Sequence, residues 1–301
     1  MDDLTILLVM NKDAYLFKKD GIEIDAKIQD LMSDAETDGN AELFFARPKM
    51  SEFATKIAQT LKTKSRNLKL QCNSMPSIGI RSIISKLKEP FDAEAVAKKV
   101  VNNQNSKYFG MDWQKVVEMW SNKGATAGAK GTGIDVYAAH LFDYVPIDIS
   151  SWSTEMQAAC KQFDKLKQEL LDAVGAELVV REQWIQDTNN IKGRIDALFN
   201  IQNKLMLVDW KSNGDISRTN SFGTKMIGPC KMLDDCKANE FTLQLYMYKY
   251  FIETYFGLQI ASCRIGWIRP EGYEMMKPNF PYNADFIKSC IEYGFAHSNL
   301  K

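Results

Sequence analysis

Two apolar stretches separated by a short polar one dominate the segment 191–211. The first is GRIDALF, which begins at Gly193, and the second is the run LMLV at 205–208. A short apolar run with polar ends is typical of a strand that is buried on both faces in the middle of a sheet. The polar residues 200–204 between the two stretches predict a turn, so the segment is predicted to form a β-hairpin.

Most of the remaining apolar spacing is helical. Apolar residues recur every three or four positions in 151–175 and among the lysines and arginines of 55–71, which predicts amphipathic helices. The segment 241–256 is apolar nearly all round and predicts a buried helix, whereas 212–240 lacks periodicity and predicts a long loop. Strands are predicted at 176–185 and 260–267, and a last helix is predicted at 285–298. In 109–144, two helical patterns flank a predicted hinge of small residues.

Length and composition fit a soluble globular protein with a full core. The chain has 301 residues, of which 45% are hydrophobic and 25% are charged. A polar, asparagine-rich stretch near residue 105 favours a division into a mainly helical N-terminal extension, 1–105, and a main domain, 106–301. Lys plus Arg and Asp plus Glu both number 38, so any surface for nucleic acid must be local.

The cysteines and the apolar runs indicate the cellular compartment in which the protein is expected. None of the six cysteines forms a Cys-x-x-Cys pair, and the chain begins without the pattern of a signal peptide. The early apolar run at 4–10 is far shorter than the about 20 residues that a membrane helix needs. We therefore expect an intracellular protein in a reducing compartment, with no membrane partner.

The predicted hairpin brings charged residues to one place. Asp196 and Asp209 lie on its two strands, and alternation along the second strand puts Asp209 and Lys211 on one face with Trp210 on the other. Two close carboxylates repel each other unless one binds a proton or a cation lies between them. Because no histidine or cysteine is near in the sequence, oxygen ligands favour Mg²⁺ or Mn²⁺ over Zn²⁺.

The order and spacing of these residues resemble a known superfamily. Gly-x-Ile-Asp at 193–196, the apolar strand, Asp-Trp-Lys at 209–211 and the pair Gln244 and Tyr248 resemble the PD-(D/E)xK nucleases. The match is to the RecB-like branch, which includes lambda-type exonucleases and related enzymes of bacteria, phages and large DNA viruses. It covers roughly the C-terminal half, from about 120 to 270.

This resemblance implies an α/β fold with a restriction-endonuclease-like core, in which helices flank a central mixed β-sheet. It also implies a metal-dependent DNA nuclease, in particular an exonuclease that acts on DNA ends in replication, recombination or repair. The expected partners are single- or double-stranded DNA ends and replication or recombination proteins, in a cell that hosts a phage or virus. The alternative is an inactive nuclease fold that binds DNA or serves as a scaffold. The sequence favours no particular oligomeric state.

The resemblance also assigns roles to single residues. The implied catalytic residues are Asp196, Asp209, Lys211, Gln244 and Tyr248. The implied ligands of one or two Mg²⁺ or Mn²⁺ ions are Asp135, Glu182, Asp196, Asp209 and the backbone carbonyl of Trp210. Asp135 takes the place of the family's histidine in GTGID at 131–135, and it is also interpretable as an acid near a helix N-terminus.

The remaining assignments concern nucleic acid, cysteine and lysine. The expected DNA contacts are Thr132, Arg218, Lys225, Gln244 and Tyr248, and the basic residues of 55–90 either follow phosphates or form a solvated helix face. No iron–sulfur cluster is expected, because the cysteines lack the tight triplet of cluster-bearing relatives. Lys211 either deprotonates or orients the attacking water, or acts as a charged clamp on the phosphate.

Overall fold

The computed structural model describes residues 50–143, 147–220 and 222–298 in full, together with the backbone of three earlier strands. These are β1 (Thr5–Met10), β2 (Asp13–Lys18) and β3 (Leu43–Phe45), which form an antiparallel sheet in the order β2-β1-β3. The rest of the predicted extension before residue 50 lies outside the described residues. The prediction of a mainly helical extension did not include these strands.

Seven α-helices follow along the described part of the chain. Their order is α1 (Glu52–Gln71), α2 (Ile80–Ser85), α3 (Ala93–Val101), α4 (Trp113–Asp143), α5 (Thr154–Gln168), α6 (Lys237–Phe256) and α7 (Ala284–Ala296). A π-helical turn, Glu169–Ala173, extends α5. The region 50–101 is therefore largely helical, and no described helix combines the length and apolarity that a bilayer crossing requires.

A mixed sheet of six strands forms the centre of the molecule. Its strands are β4 (Ile78–Gly79), β5 (Glu177–Gln186), β6 (Ile191–Ile201), β7 (Lys204–Lys211), β8 (Ile260–Arg269) and β9 (Gly272–Met276). The order is β4-β6-β7-β8-β9, with β5 also paired to β6. The pairs β4/β6 and β7/β8 are parallel, and the other three are antiparallel.

The predicted hairpin is confirmed as β6 and β7. Its turn residues Gln202 and Asn203 both have positive φ, 51° and 62°, as the tightest hairpin turns with matching strand twist require. From Leu205 to Lys211 every residue of β7 is buried. The apolar run is therefore a central strand, covered on both faces.

Helices cover both faces of the sheet. Helices α1, α2, α6 and α7 share one hydrophobic core with Ile195 and Leu207 of the sheet. Helices α4 and α5 share a second core with Phe199 and Trp210. The molecule is thus an α/β protein with a mixed six-stranded sheet between helices. Helices α1 and α2, which precede residue 105, belong to the first core. The division into two domains near residue 105 stays a prediction from sequence.

Helix α4 corrects one prediction. It runs without a break through the small residues 124–133, where the sequence predicted a hinge between two helices. Val116 near one end and Ile134, Tyr137 and Phe142 near the other are buried, which holds the helix at both ends. Alanine is the strongest helix former, which offsets the glycines between these anchors. Asp135 consequently lies inside a long helix and not near a helix N-terminus.

Candidate active site

The site lies where β6 and β7 separate. Their pairing runs from the turn to Ala197 and Val208, and Asp196 and Asp209 are the next residues on the two strands. Lys192 of β6 pairs with both Gly79 of β4 and Gln186 of β5, so β4 takes over the edge that β7 leaves. The edge of β6 therefore opens at Asp196, between two partner strands.

Asp196 also interrupts the regular alternation of β6. Ile195 and Leu198 are three residues apart but pack in the same core, whereas strict alternation would put them on opposite faces. On the neighbouring strand β5, Glu182 lies opposite Asp196 in the register and has a positive φ of 49°. Such irregularities re-aim side chains at sheet edges and beside functional sites.

A hydrogen bond to the backbone of β7 holds Asp196 close to Asp209. The Trp210 N–H donates a hydrogen bond of 2.7 Å to Oδ2 of Asp196, so this carboxylate reaches across to β7. Burial raises the pKa of Asp196, and the nearby charge of Asp209 raises it further. The Lys211 amine and the Trp210 amide act in the opposite direction. The predicted neighbourhood of the two acids is confirmed.

Asp209 and Lys211 form a buried ion pair. Only 1% of Asp209 and 8% of Lys211 are exposed, and the Lys211 ammonium contacts Oδ2 of Asp209. The same ammonium lies 4.8 Å from the ring centroid of Phe241. Neither carboxylate oxygen of Asp209 accepts a well-oriented hydrogen bond from the described residues. Buried carboxylate oxygens are costly when unsatisfied, so this acid favours a further cationic partner.

Two more acids approach from other elements. Burial raises the pKa of Asp135 on α4, while the charge of Lys211 lowers it and that of Asp209 raises it, so Asp135 shares the field of the ion pair. Burial also raises the pKa of Glu182, whose carboxylate forms an ion pair of 2.7 Å with Nε of Arg194. Asp135 thus interacts electrostatically with Lys211 and lines the same cleft, whereas Glu182 is engaged by an arginine.

The predicted pair on α6 is buried beside the acids. Gln244 and Tyr248 are 5% and 3% exposed, and Nε2 of Gln244 donates a hydrogen bond of 2.9 Å to the Tyr248 hydroxyl. Burial raises the pKa of Tyr248, and the charges of Asp209 and Asp196 add to this effect. The tyrosine is therefore a neutral hydroxyl held next to two carboxylates.

Gly193, the glycine of the GRID segment, makes room for this tyrosine. A Cβ at position 193 would collide with the Tyr248 ring and would lie 3.0 Å from Cδ1 of Ile80. We expect Gly193→Ala to lower the free energy of unfolding by about 1–3 kcal/mol, because the overpacked ring must move. Urea denaturation measures this loss. Gly272→Ala, whose Cβ would meet nothing within 4 Å, is the matched control and should unfold like the wild type.

A cleft of about 1200 Å³ opens in front of these residues. Of the predicted site residues, it is lined by Thr132, Asp135, Asp196, Trp210, Lys211 and Gln244. Asp209, Glu182 and Tyr248 are not among its lining residues, and Asp209 lies behind Lys211. The cleft also has basic side chains, namely Arg81, Lys88, Lys123, Lys130, Lys237 and Arg269.

Part of this basic lining was not predicted from the sequence. Lys123 and Lys130 are seven residues apart, two turns of one helix face, and this spacing was a usable signal. Of the basic residues in 55–90, Arg81 and Lys88 line the cleft, and Lys88 is paired with Asp235 and Glu240.

Arg218 and Lys225, the two predicted loop contacts to DNA, lie outside the cleft lining. Arg218 donates a hydrogen bond of 3.3 Å to Oδ1 of Asn279, and Lys225 forms an ion pair of 2.5 Å with Asp234. Both side chains are therefore engaged within the protein, and their contact with DNA stays a prediction.

A metal ion would find oxygen donors here. Within the described ranges, no three side chains of His, Cys, Asp or Glu are gathered closely enough to form a metal-binding group as they stand. Yet Oδ1 of Asp209 has no partner among the described residues and Oδ2 contacts the Lys211 ammonium alone. Burial and the charge of Asp209 raise the pKa of Asp196. An excess of buried negative charge with oxygen-only donors suits a hard divalent cation. The residues present therefore fit Mg²⁺ or Mn²⁺.

Comparison with known proteins adds little to this geometry. No protein-family model and no curated protein matches the chain. One solved structure, titled "Crystal structure of SSO0001", is similar with a TM-score of 0.31 and 15% sequence identity, over 80% of this chain and 86% of the other. A likeness this distant carries no argument, so the functional case depends on the site itself.

Proposed function

We propose that the protein is a metal-dependent DNA nuclease with the restriction-endonuclease-like core of the PD-(D/E)xK superfamily, in its RecB-like branch. One observation carries the proposal. Asp196, Asp209 and Lys211 meet at the open end of a central hairpin, with Asp135 and the Gln244–Tyr248 pair around them. A cleft with basic side chains lies directly in front of this group.

In this proposal Asp196, Asp209 and the backbone carbonyl of Trp210 hold Mg²⁺ or Mn²⁺, with Asp135 as a further ligand. Such an ion, when bound, lowers the pKa of water and neutralises charge that develops on phosphate. Glu182 joins the ligands only by leaving Arg194. The unpartnered Oδ1 of Asp209 and the raised pKa of Asp196 support this ligand set.

Lys211 and the basic lining act on the substrate. Lys211 lines the cleft with Asp209 behind it, so its amine contacts the carboxylate and also borders the space for DNA. As an ammonium it stabilises a phosphate, and as a free amine it accepts a proton from water. Arg81 and Lys123 are placed to contact the phosphates of a strand in the cleft, and Lys130 could do so only by leaving its ion pair with Glu155.

The test is hydrolysis of end-labelled linear DNA, single- and double-stranded, beside circular DNA of the same sequence. We expect products with Mg²⁺ or Mn²⁺, none with excess chelator, and resistance of circles if the enzyme needs an end. Lys211→Met should yield far less product than the wild type. Lys249→Met is its matched control, because Lys249 also forms a partly buried ion pair but lies outside the cleft. Metal-independent cleavage, or none by wild-type protein, would refute the proposal.

A second candidate is a DNA-binding or scaffolding protein that has lost catalysis. It is favoured by the closed Asp209–Lys211 pair and by the absence of a ready three-acid group in the described part of the chain. This candidate predicts that labelled DNA binds in the presence of Mg²⁺ and is recovered at full length. The product analysis above separates the two.

Metal addition should also stabilise the fold. If Mn²⁺ or Mg²⁺ binds the folded state only, a concentration of 100 times its Kd adds about 2.7 kcal/mol and raises Tm by several degrees. We expect this rise in a thermal scan of the wild type, its reversal by chelator, and its loss in Asp196→Asn. An equal rise in wild type and variant would place the ion elsewhere.

A further inference from the structure

A partly exposed group of aromatic side chains lies on the arm, by which we mean residues 89–128, comprising α3, its flanking segments and the N-terminal half of α4. The ring centroid of Trp120 is 5.9 Å from that of Phe91 and 5.7 Å from that of Tyr108, and Trp120 Nε1 donates a hydrogen bond of 3.0 Å to the Tyr108 hydroxyl. Phe91 is 70% exposed, and Phe109, which follows Tyr108 in the chain, is 52% exposed. We call these four residues the aromatic platform. Exposed apolar groups of this kind mark interaction sites.

Amines border the platform. Lys123 lies one helical turn beyond Trp120 on α4. The hydrogen bond from Trp120 lowers the pKa of Tyr108, and the charges of Lys107 and Lys123 act in the same direction. Lys107 is 5.0 Å from the Tyr108 ring centroid. Neither lysine forms an ion pair with any residue that the structure describes. These two positive charges are therefore available to a ligand.

Three acids of the same arm have partners within the protein. Asp92 accepts a hydrogen bond from the N–H of Ala95 at the start of α3, and Asp112 accepts one from the N–H of Gln114 at the start of α4. Glu94 pairs with Lys98 at 2.5 Å. The platform thus combines aromatic faces with unpaired amines, which is the chemistry that binds bases and phosphates together.

Helix α4 connects the platform to the proposed active site. Lys123, one turn beyond Trp120, lines the cleft, and the same helix continues through the lining residues Gly128 and Gly131 to Asp135. Fifteen residues of helix between Trp120 and Asp135 span about 22 Å, which is the length of several nucleotides of a single strand. The small side chains along this path leave room for a strand.

We propose that the aromatic platform binds the unpaired bases of a single strand of nucleic acid whose other part occupies the cleft. Duplex bases stack on one another and offer no free faces, so the platform selects single-stranded over paired substrate. The inference rests on the proposed nuclease function for the identity of the cleft, and it assigns the substrate a minimum length.

Fluorescence anisotropy with labelled oligothymidine tests this directly, in chelator so that nothing is cut. Phe91→Ala combined with Phe109→Ala should weaken binding of a 20-mer about 5- to 100-fold, as loss of base stacking does. Leu70→Ala, which removes an equally exposed apolar side chain on α1, should bind like the wild type. A blunt duplex should bind wild type and double variant equally.

Hydrolysis provides the second readout. With the 20-mer, KM of the double variant should rise by the same factor while kcat is retained, and a nitrophenyl ester of thymidine monophosphate should be cleaved at an unchanged rate. Equal 20-mer affinity in wild type and double variant overturns the platform, including the case in which it binds a protein instead. Absence of any hydrolysis by wild type refutes the nuclease alone, since the anisotropy result still stands.

Discussion

Asp209→Asn is expected to reduce DNA hydrolysis at least about 1000-fold, because loss of an ionic metal ligand removes several kcal/mol of transition-state stabilisation. The change is nearly isosteric, so it removes charge and leaves the shape of the site. Asp209 is 1% exposed and lies behind Lys211, where no other described carboxylate contacts that amine. The initial rate of product formation at saturating Mg²⁺ measures the effect.

Asp187→Asn is the matched control for this substitution. Asp187 is also 1% exposed, but it accepts hydrogen bonds from the N–H groups of Asn189 and Ile191 at the entry to β6, away from the cleft lining. We expect it to lose stability and to keep its hydrolysis rate. A similar fall in rate for both variants would mean that Asp209 acts through folding, and the proposed site would be wrong.

Lys211→Met should have the second-largest effect, and it should act on stability as well as on activity. Removal of one partner of a buried ion pair leaves Asp209 as an uncompensated buried charge, which costs about 3–5 kcal/mol. The variant also loses the amine that stabilises phosphate or accepts a proton, so hydrolysis should fall about 100- to 1000-fold. Urea denaturation and the hydrolysis assay measure the two losses separately.

The double variant Asp209→Asn with Lys211→Met separates the two roles of the pair. It has neither buried charge, so we expect it to regain much of the free energy of unfolding that Lys211→Met loses. Its hydrolysis should stay at the level of the single variants, because those residues act together. Recovery of activity along with stability would contradict a catalytic role for the pair.

Local sequence signals were sufficient for much of the site. Alternation fixed the shared face of Asp209 and Lys211, the polar turn fixed the hairpin that brings Asp196 near, and the four-residue spacing joined Gln244 to Tyr248. Each of these relations spans a few residues or one turn. For that reason the pattern of side chains along the chain was enough to predict them.

Relations between distant segments were not predictable in this way. The two-residue strand β4 has no periodicity of its own, and its pairing to β6 joins residues more than 110 positions apart. The engagement of Glu182 by Arg194 depends on the positive φ of Glu182 in a paired strand, which no pattern indicates. Helix α4 runs through its glycines because buried side chains at both ends hold it, and that is a property of the folded core.

The parallel pairing of β4 with β6 makes the proposed catalytic half dependent on residues that precede it. Ile78 and Gly79 occupy the edge of β6 at Ile191 and Lys192, and the helix that follows them contributes Ile80 and Ile83 to the core. A fragment beginning at residue 106 would leave that edge without hydrogen bonds and would expose the apolar surface beneath it. A protein fragment that begins at the predicted boundary would therefore lack one strand of the sheet and part of the core.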